Sequence, residues 1–191
     1  MAYLFINTAC HPRGIALVDE DQVLASHWWQ ETGQDSEQIF GSLERLCAEA
    51  GLKLANLAGI FVVKGPGSFT GIRVGITVAN ALAYAHQLPV YPLLTSNFLW
   101  SCFPGRSGFN GRAGMGHNYF AASAATVTVV VAGGEEVADG VLVEELETGE
   151  AERGLPGAIA DWLQQLAAVK TAEPFYLKPA GLTQPRRGTL K

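Results

Sequence analysis

Short apolar runs separated by polar turns open the chain. Tyr3–Thr8, Gly14–Val18 and Val23–Trp29 each read as a strand, and Asp19-Glu20-Asp21-Gln22 supplies the hairpin turn between the second and third. The period then changes. Ile39, Leu43, Leu46 and Ala50 recur at helical spacing with Phe40 and Cys47 beside them, and Gly51 ends the run. Asp35 and Ser36 are candidate N-caps for this helix, and Asp35 with Gln38 has capping-box spacing. Gly59–Lys64 (GIFVVK) reads as a buried strand. A glycine-rich turn then leads into a helix over 72–86, and Leu88–Leu94 reads as a further strand.

The second half is less regular. Residues 104–116 are rich in glycine and read as a loop, while Asn118–Ser123, Thr126–Ala132 and Gly140–Leu146 read as strands. Leu155-Pro156-Gly157 is expected to open a helix carrying Ile159, Trp162, Leu163 and Leu166 on one face, with Pro174–Lys178 a last strand-like piece. The order βββαβαβ is that of one lobe of an α/β actin/Hsp70-like (ASKHA, ribonuclease H-like) fold, with a shortened second lobe. The expected division is residues 1–95 for the first lobe and 96–191 for a reduced α/β second lobe.

The helix after the glycine-rich turn departs from ordinary patterning. From Val74 to Ala85 it carries no charge, and Thr77 and Asn80 are its only clearly polar residues. A surface helix usually shows one apolar stripe and one polar face. One side of this helix can pack on a sheet; the other calls for a cover, either another polypeptide or the rest of the chain. The candidate partner interface comprises Ile39, Phe40 and Leu43 of the preceding helix with Ile72, Gly75, Ile76, Ala79, Asn80 and Ala83.

Composition narrows the function classes. The chain of 191 residues is 48% hydrophobic and 16% charged, so a well-buried core is expected. A net charge of −5 is a poor match for a phosphate backbone, and the basic residues Arg186, Arg187 and Lys191 lie in the tail. Cys10, Cys47 and Cys102 are far apart, which fits a reducing compartment. The apolar opening is shorter than a signal peptide's, and no run is long enough for a membrane span. A soluble, cytoplasmic chain is expected.

The turn Gly65-Pro66-Gly67-Ser68-Phe69-Thr70-Gly71, with Arg73 just beyond, has the strand–turn–helix setting of an anion cradle. It fits neither the dinucleotide fingerprint, whose third glycine would come one residue earlier, nor a phosphate-binding loop ending in Gly-Lys-Ser/Thr. The other reading is a tight connection in which glycines allow close packing. His11, His27, His86 and His117 show no metal-binding spacing, and nothing nominates a base for Ser68. Asn7 stands where a phosphotransferase of this fold class would place a carboxylate.

KGPGSFTGIRVGITVANALAYAHQLPVYPL resembles the hallmark segment of the TsaB (YeaZ) family of tRNA threonylcarbamoyladenosine biosynthesis proteins. LFINTACHPRGIALV is similar to the family's opening hairpin, QDSEQIF to its His-Ser-Glu helix start, and AEPFYLK to its C-terminal segment. The resemblance implies a non-catalytic scaffold, without cofactor or metal, that pairs with a TsaD-like transferase as a heterodimer. A TsaE-like ATPase joins them, tRNA is met only through the complex, and the same two helices can support a homodimer. The family usually has Asp at the place of Asn7, His at that of Asp35, and an acid at that of Arg112. An ATP-dependent phosphotransferase, or a glycoprotease-like hydrolase using Ser68, is the alternative from another class.

Overall fold

The computed structural model describes residues 1–30, 34–114, 117–124, 127–130 and 140–175. Strands β1 (Tyr3–Asn7), β2 (Arg13–Val18) and β3 (Val23–Trp29) form an antiparallel meander. Helix α1 (Asp35–Glu49), β4 (Gly59–Val63), α2 (Phe69–His86) and β5 (Val90–Leu93) follow, and the five strands make one sheet in the order β3-β2-β1-β4-β5. β4 runs parallel to both β1 and β5. α3 (Thr95–Cys102) leads to a second sheet of β6 (Phe109–Gly114), β7 (His117–Ala121), β8 (Val127–Val130) and β9 (Val141–Leu142), in the order β8-β7-β6-β9. α4 (Thr148–Gln165) is the last helix among the described residues.

The first sheet is buried on both faces, which is why β1 and β4 are apolar at every position except Asn7 and Gly59. Phe5, Phe61, Tyr3 and Tyr91 share one face. There Phe5 meets Phe98 of α3 at 5.3 Å between ring centroids, and Phe61 meets Trp162 of α4 at 5.6 Å. The opposite face, bearing Ile6, receives α2 through Gly75. Thus α1 and α2 cover one side, and α3 and α4 the other. Glu152 fastens α4 to β3 by accepting from the Trp28 indole at 2.7 Å and from the Ser26 hydroxyl. α1 ends as the glycine predicts. Gly51 is left-handed at φ 65°, and the Leu52 N–H turns back to Cys47 O at 2.8 Å.

Four sequence expectations need correction. Residues 104–116 are not wholly a loop, since β6 occupies 109–114. Its Gly111 is a seat for a ring. Gly111 lies opposite Tyr119 in register, and a Cβ on Gly111 would come within 2.4 Å of the tyrosine ring. The last helix opens at Thr148, not at Leu155, and carries Pro156 inside it. Gly154 lets it approach the backbone of Cys102 closely. Asp35 does not cap α1. The cap position is Gln34, which makes no side-chain cap bond, and the Asp35 carboxylate is engaged by Arg13. The expected strand Gly140–Leu146 shrinks to Val141–Leu142 followed by a 3-10 turn. Of Thr126–Ala132 and Pro174–Lys178, positions 126, 131–132 and 176–178 lie outside the described residues.

Replacing Gly111 with valine is expected to destabilise the protein by about 2 kcal/mol, since the Tyr119 ring must move from a packed site. Urea denaturation of the variant beside the parent measures it.

Candidate functional site

The glycine-rich turn is fixed by what it touches. A Cβ on Gly71 would fall 1.9 Å from Thr8 O, one on Gly67 2.1 Å from Ala9 O, and one on Gly75 2.4 Å from Thr8 Oγ1. Gly65, at φ 114°, lies against Phe175 O in the same way. These glycines let the start of α2 lie directly on the end of β1. The seam is hydrogen-bonded: Thr8 Oγ1 donates to Gly71 O at 2.6 Å, and the Ser68 N–H donates to Ala9 O at 2.7 Å. Thr95 holds the other side of the turn, through its N–H to Gly65 O and its hydroxyl to Pro66 O.

This geometry favours the packing reading over the anion cradle. The Ser68 amide, which an anion would need, is already bonded within the protein, and the Gly71 amide donates to Ser68 Oγ at 3.3 Å. Ser68 is therefore the N-cap of α2. Phe69 carries the Arg73 guanidinium 3.9 Å over its ring, and Thr70 is exposed. Beside them a cleft of about 420 Å³ is lined in part by His11, Gln30, Ser68, Arg112 and Glu144. His11 Nε2 pairs with Leu146 O at 2.9 Å, and Arg112 approaches Glu144 at 3.7 Å. Burial pushes the Cys10 thiol at this cleft up from 9.0 to about 12, so it stays protonated and a weak nucleophile at neutral pH.

Asn7 holds the turn between β1 and β2. Its Nδ2 donates to Pro12 O at 2.7 Å and Cys10 O at 3.1 Å, while its Oδ1 accepts from the Ala9 N–H at 3.1 Å. Two of these bonds need an N–H donor, which a carboxylate lacks. Arg13 and Asp35 form a buried ion pair at 2.6 Å, with side chains 5% and 3% exposed. The Trp29 indole donates to the second Asp35 oxygen at 2.8 Å. This cluster ties the first turn of α1 to the hairpin.

The expected interface residues divide. Ile39, Leu43, Ile72, Gly75, Ile76, Ala79 and Ala83 are buried within the chain, so they are core positions and not a docking surface. Asn80 is engaged internally, its side chain bonding Ala172 N at 2.8 Å and Ala172 O at 3.0 Å. Phe40 is the one residue of that set that stands out, 57% exposed. The sequence reading missed Tyr84, 83% exposed on α2. Helical spacing places it in a stripe with Thr70, Arg73, Thr77 and Ala81, all exposed. The signal was present, because the buried positions of α2 leave this stripe as their complement.

The Asn7→Asp variant is expected to lose about 2–3 kcal/mol at neutral pH, as two carbonyl oxygens would face a carboxylate. Part returns towards about pH 4, where the protonated acid can donate once. Chemical denaturation at the two pH values measures both.

Among known proteins, the family described as TsaD: tRNA N6-adenosine threonylcarbamoyltransferase matches residues 32–99. The match spans α1, the glycine-rich turn and α2. The tRNA threonylcarbamoyladenosine biosynthesis protein TsaB of Bacillus subtilis (strain 168) is 34% identical over 90 residues, covering 47% of this chain and 39% of its own length. The protein of the same name from Escherichia coli (strain K12) is 30% identical over 95 residues, or 50% of this chain and 41% of its own. The chain thus spans about two-fifths of the length of these curated relatives. YeaZ from Pseudomonas aeruginosa superposes with a TM-score of 0.68 at 23% identity, covering 92% of this chain and 99% of the other. The fold is therefore of the actin-like α/β class. The chain is thus similar in sequence to curated proteins named TsaB and in fold to a solved structure named YeaZ.

Proposed function

We propose that the chain is a non-catalytic subunit of the assembly that makes threonylcarbamoyladenosine beside the tRNA anticodon, where it scaffolds a TsaD-like transferase. Docking uses the outward faces of α1 and α2. The observation that carries this reading is the exposure of Phe40 and Tyr84, two large rings set in water on the helices that the family match spans. Aromatic side chains are enriched in the cores of protein–protein interfaces and among their energetic hot spots. An acidic chain fits a role in which tRNA is met through the complex, and a TsaE-like ATPase joins the same assembly. A homodimer through these helices is the competing arrangement.

The non-catalytic part of the proposal draws on the engagement of the candidate groups. Ser68 is a cap, Asn7 is a backbone staple, and the Ser68 and Gly71 amides of the turn bond the chain itself. Among the described residues no set of three His, Cys, Asp or Glu side chains is placed to hold a metal ion. No described helix is long and apolar enough to cross a membrane. The division into lobes at residues 95 and 96 is likewise a proposal. Its boundary falls at the first residue of α3.

Phe40→Ala and Tyr84→Ser together are expected to weaken co-purification with the transferase at least tenfold, with the thermal midpoint unchanged to within a few degrees, as both side chains are exposed. Arginine at Ala79 or Ala83 would unfold the protein instead, since both positions are core. Full retention of the partner by the double variant contradicts the proposed surface.

A further inference from the structure

The exposed face of α1 carries more than Phe40. Glu37 lies three residues before it and Glu44 four residues after, so both carboxylates share its side of the helix. Both are exposed, and among the described residues neither makes an ion pair or a hydrogen bond. The other charges of the helix body behave differently. Arg45 and Glu49 pair with each other at 3.0 Å, and Arg45 also reaches His27. α1 therefore presents a ring flanked by two uncompensated carboxylates about 10 Å apart along the axis, two helical turns. On α2 the exposed stripe has one cation, Arg73, and its guanidinium is stacked over Phe69.

We infer that the partner seated on α1 presents a small apolar pocket for Phe40 flanked by two Lys or Arg side chains that meet Glu37 and Glu44. This rests on the docking surface proposed above and adds the partner's chemistry to it. The alternative occupant, a second copy of this chain, fits worse. In a two-fold contact centred on Phe40 the same patch faces itself, bringing four carboxylates together while the one cation of α1, Arg45, is already paired with Glu49. A basic, grooved partner removes that repulsion and desolvates the ring. The electrostatic share of binding then depends on salt, because the carboxylates sit at a rim that remains wet.

The test is a binding titration with the tRNA N6-adenosine threonylcarbamoyltransferase of the same genome as the probe, at about 50 mM and about 500 mM salt. The parent chain is expected to bind roughly tenfold more weakly at the higher salt. Glu37→Gln with Glu44→Gln, which keeps helix propensity, should lose about tenfold at low salt and flatten the salt dependence. Glu37→Lys with Glu44→Lys should lose more. Parent-like affinity and salt slope in the Gln pair overturn the inference. So does a homodimer that persists at low salt and that Phe40→Ala dissolves, seen by sedimentation. Loss of binding in Phe40→Ala beside unchanged binding in the Gln pair sinks the charge inference alone. Parent-like binding in Phe40→Ala, or no binding by the parent, sinks the docking surface and this inference with it.

Discussion

The close seam between the end of β1 and the start of α2 governs the rest of the structure. Thr8 and Ala9 lie where Cβ atoms at positions 67, 71 and 75 would have to be, and two hydrogen bonds close the contact. Because the helix starts flush against the strand, its inward side drops Ile76, Ala79 and Ala83 into the core. The same seam leaves Thr70, Arg73, Thr77, Ala81 and Tyr84 outward. Thus a stretch that looks like a ligand loop functions as a packing device that aims a helix face.

A second constraint aims the neighbouring helix. α1 has no side-chain cap, and its first turn is instead tied down by Asp35, which a buried Arg13 and the Trp29 indole both hold. Removing one member of such a pair leaves a buried charge unmatched, at a cost of about 3–5 kcal/mol. Arg13 begins β2, just after the turn that Asn7 holds together. Strand ends, hairpin turn and helix start thus form one continuous polar framework beneath the exposed face carrying Phe40.

Much of this was legible from residue spacing. The first five strands and α1 and α2 appear within a few residues of where period and turn residues place them. The second half was harder because its signals conflict. Glycines at 108 and 111 argue for a loop, yet they admit the rings of Phe120 and Tyr119 in a β-hairpin. Pro156 argues for a helix start, yet tertiary packing against α3 carries the helix through it. The interface residues were misassigned for a different reason. A nearly uncharged helix reveals that two sides are apolar but not which side meets the sheet, so its buried residues were taken for its exposed ones. Asn7 and Asp35 looked like departures in a site, but each is bonded into the scaffold in the chemical form it has.

The central claim is that the outward face of α1 and α2 receives another protein. Hydroxyl-radical footprinting of the chain alone and with the transferase reads this directly, since Phe40 and Tyr84 are reactive rings in open solvent. The account predicts that both lose reactivity in the complex while His11 at the cleft keeps its own. Protection at His11 with Phe40 and Tyr84 as reactive as before would contradict it.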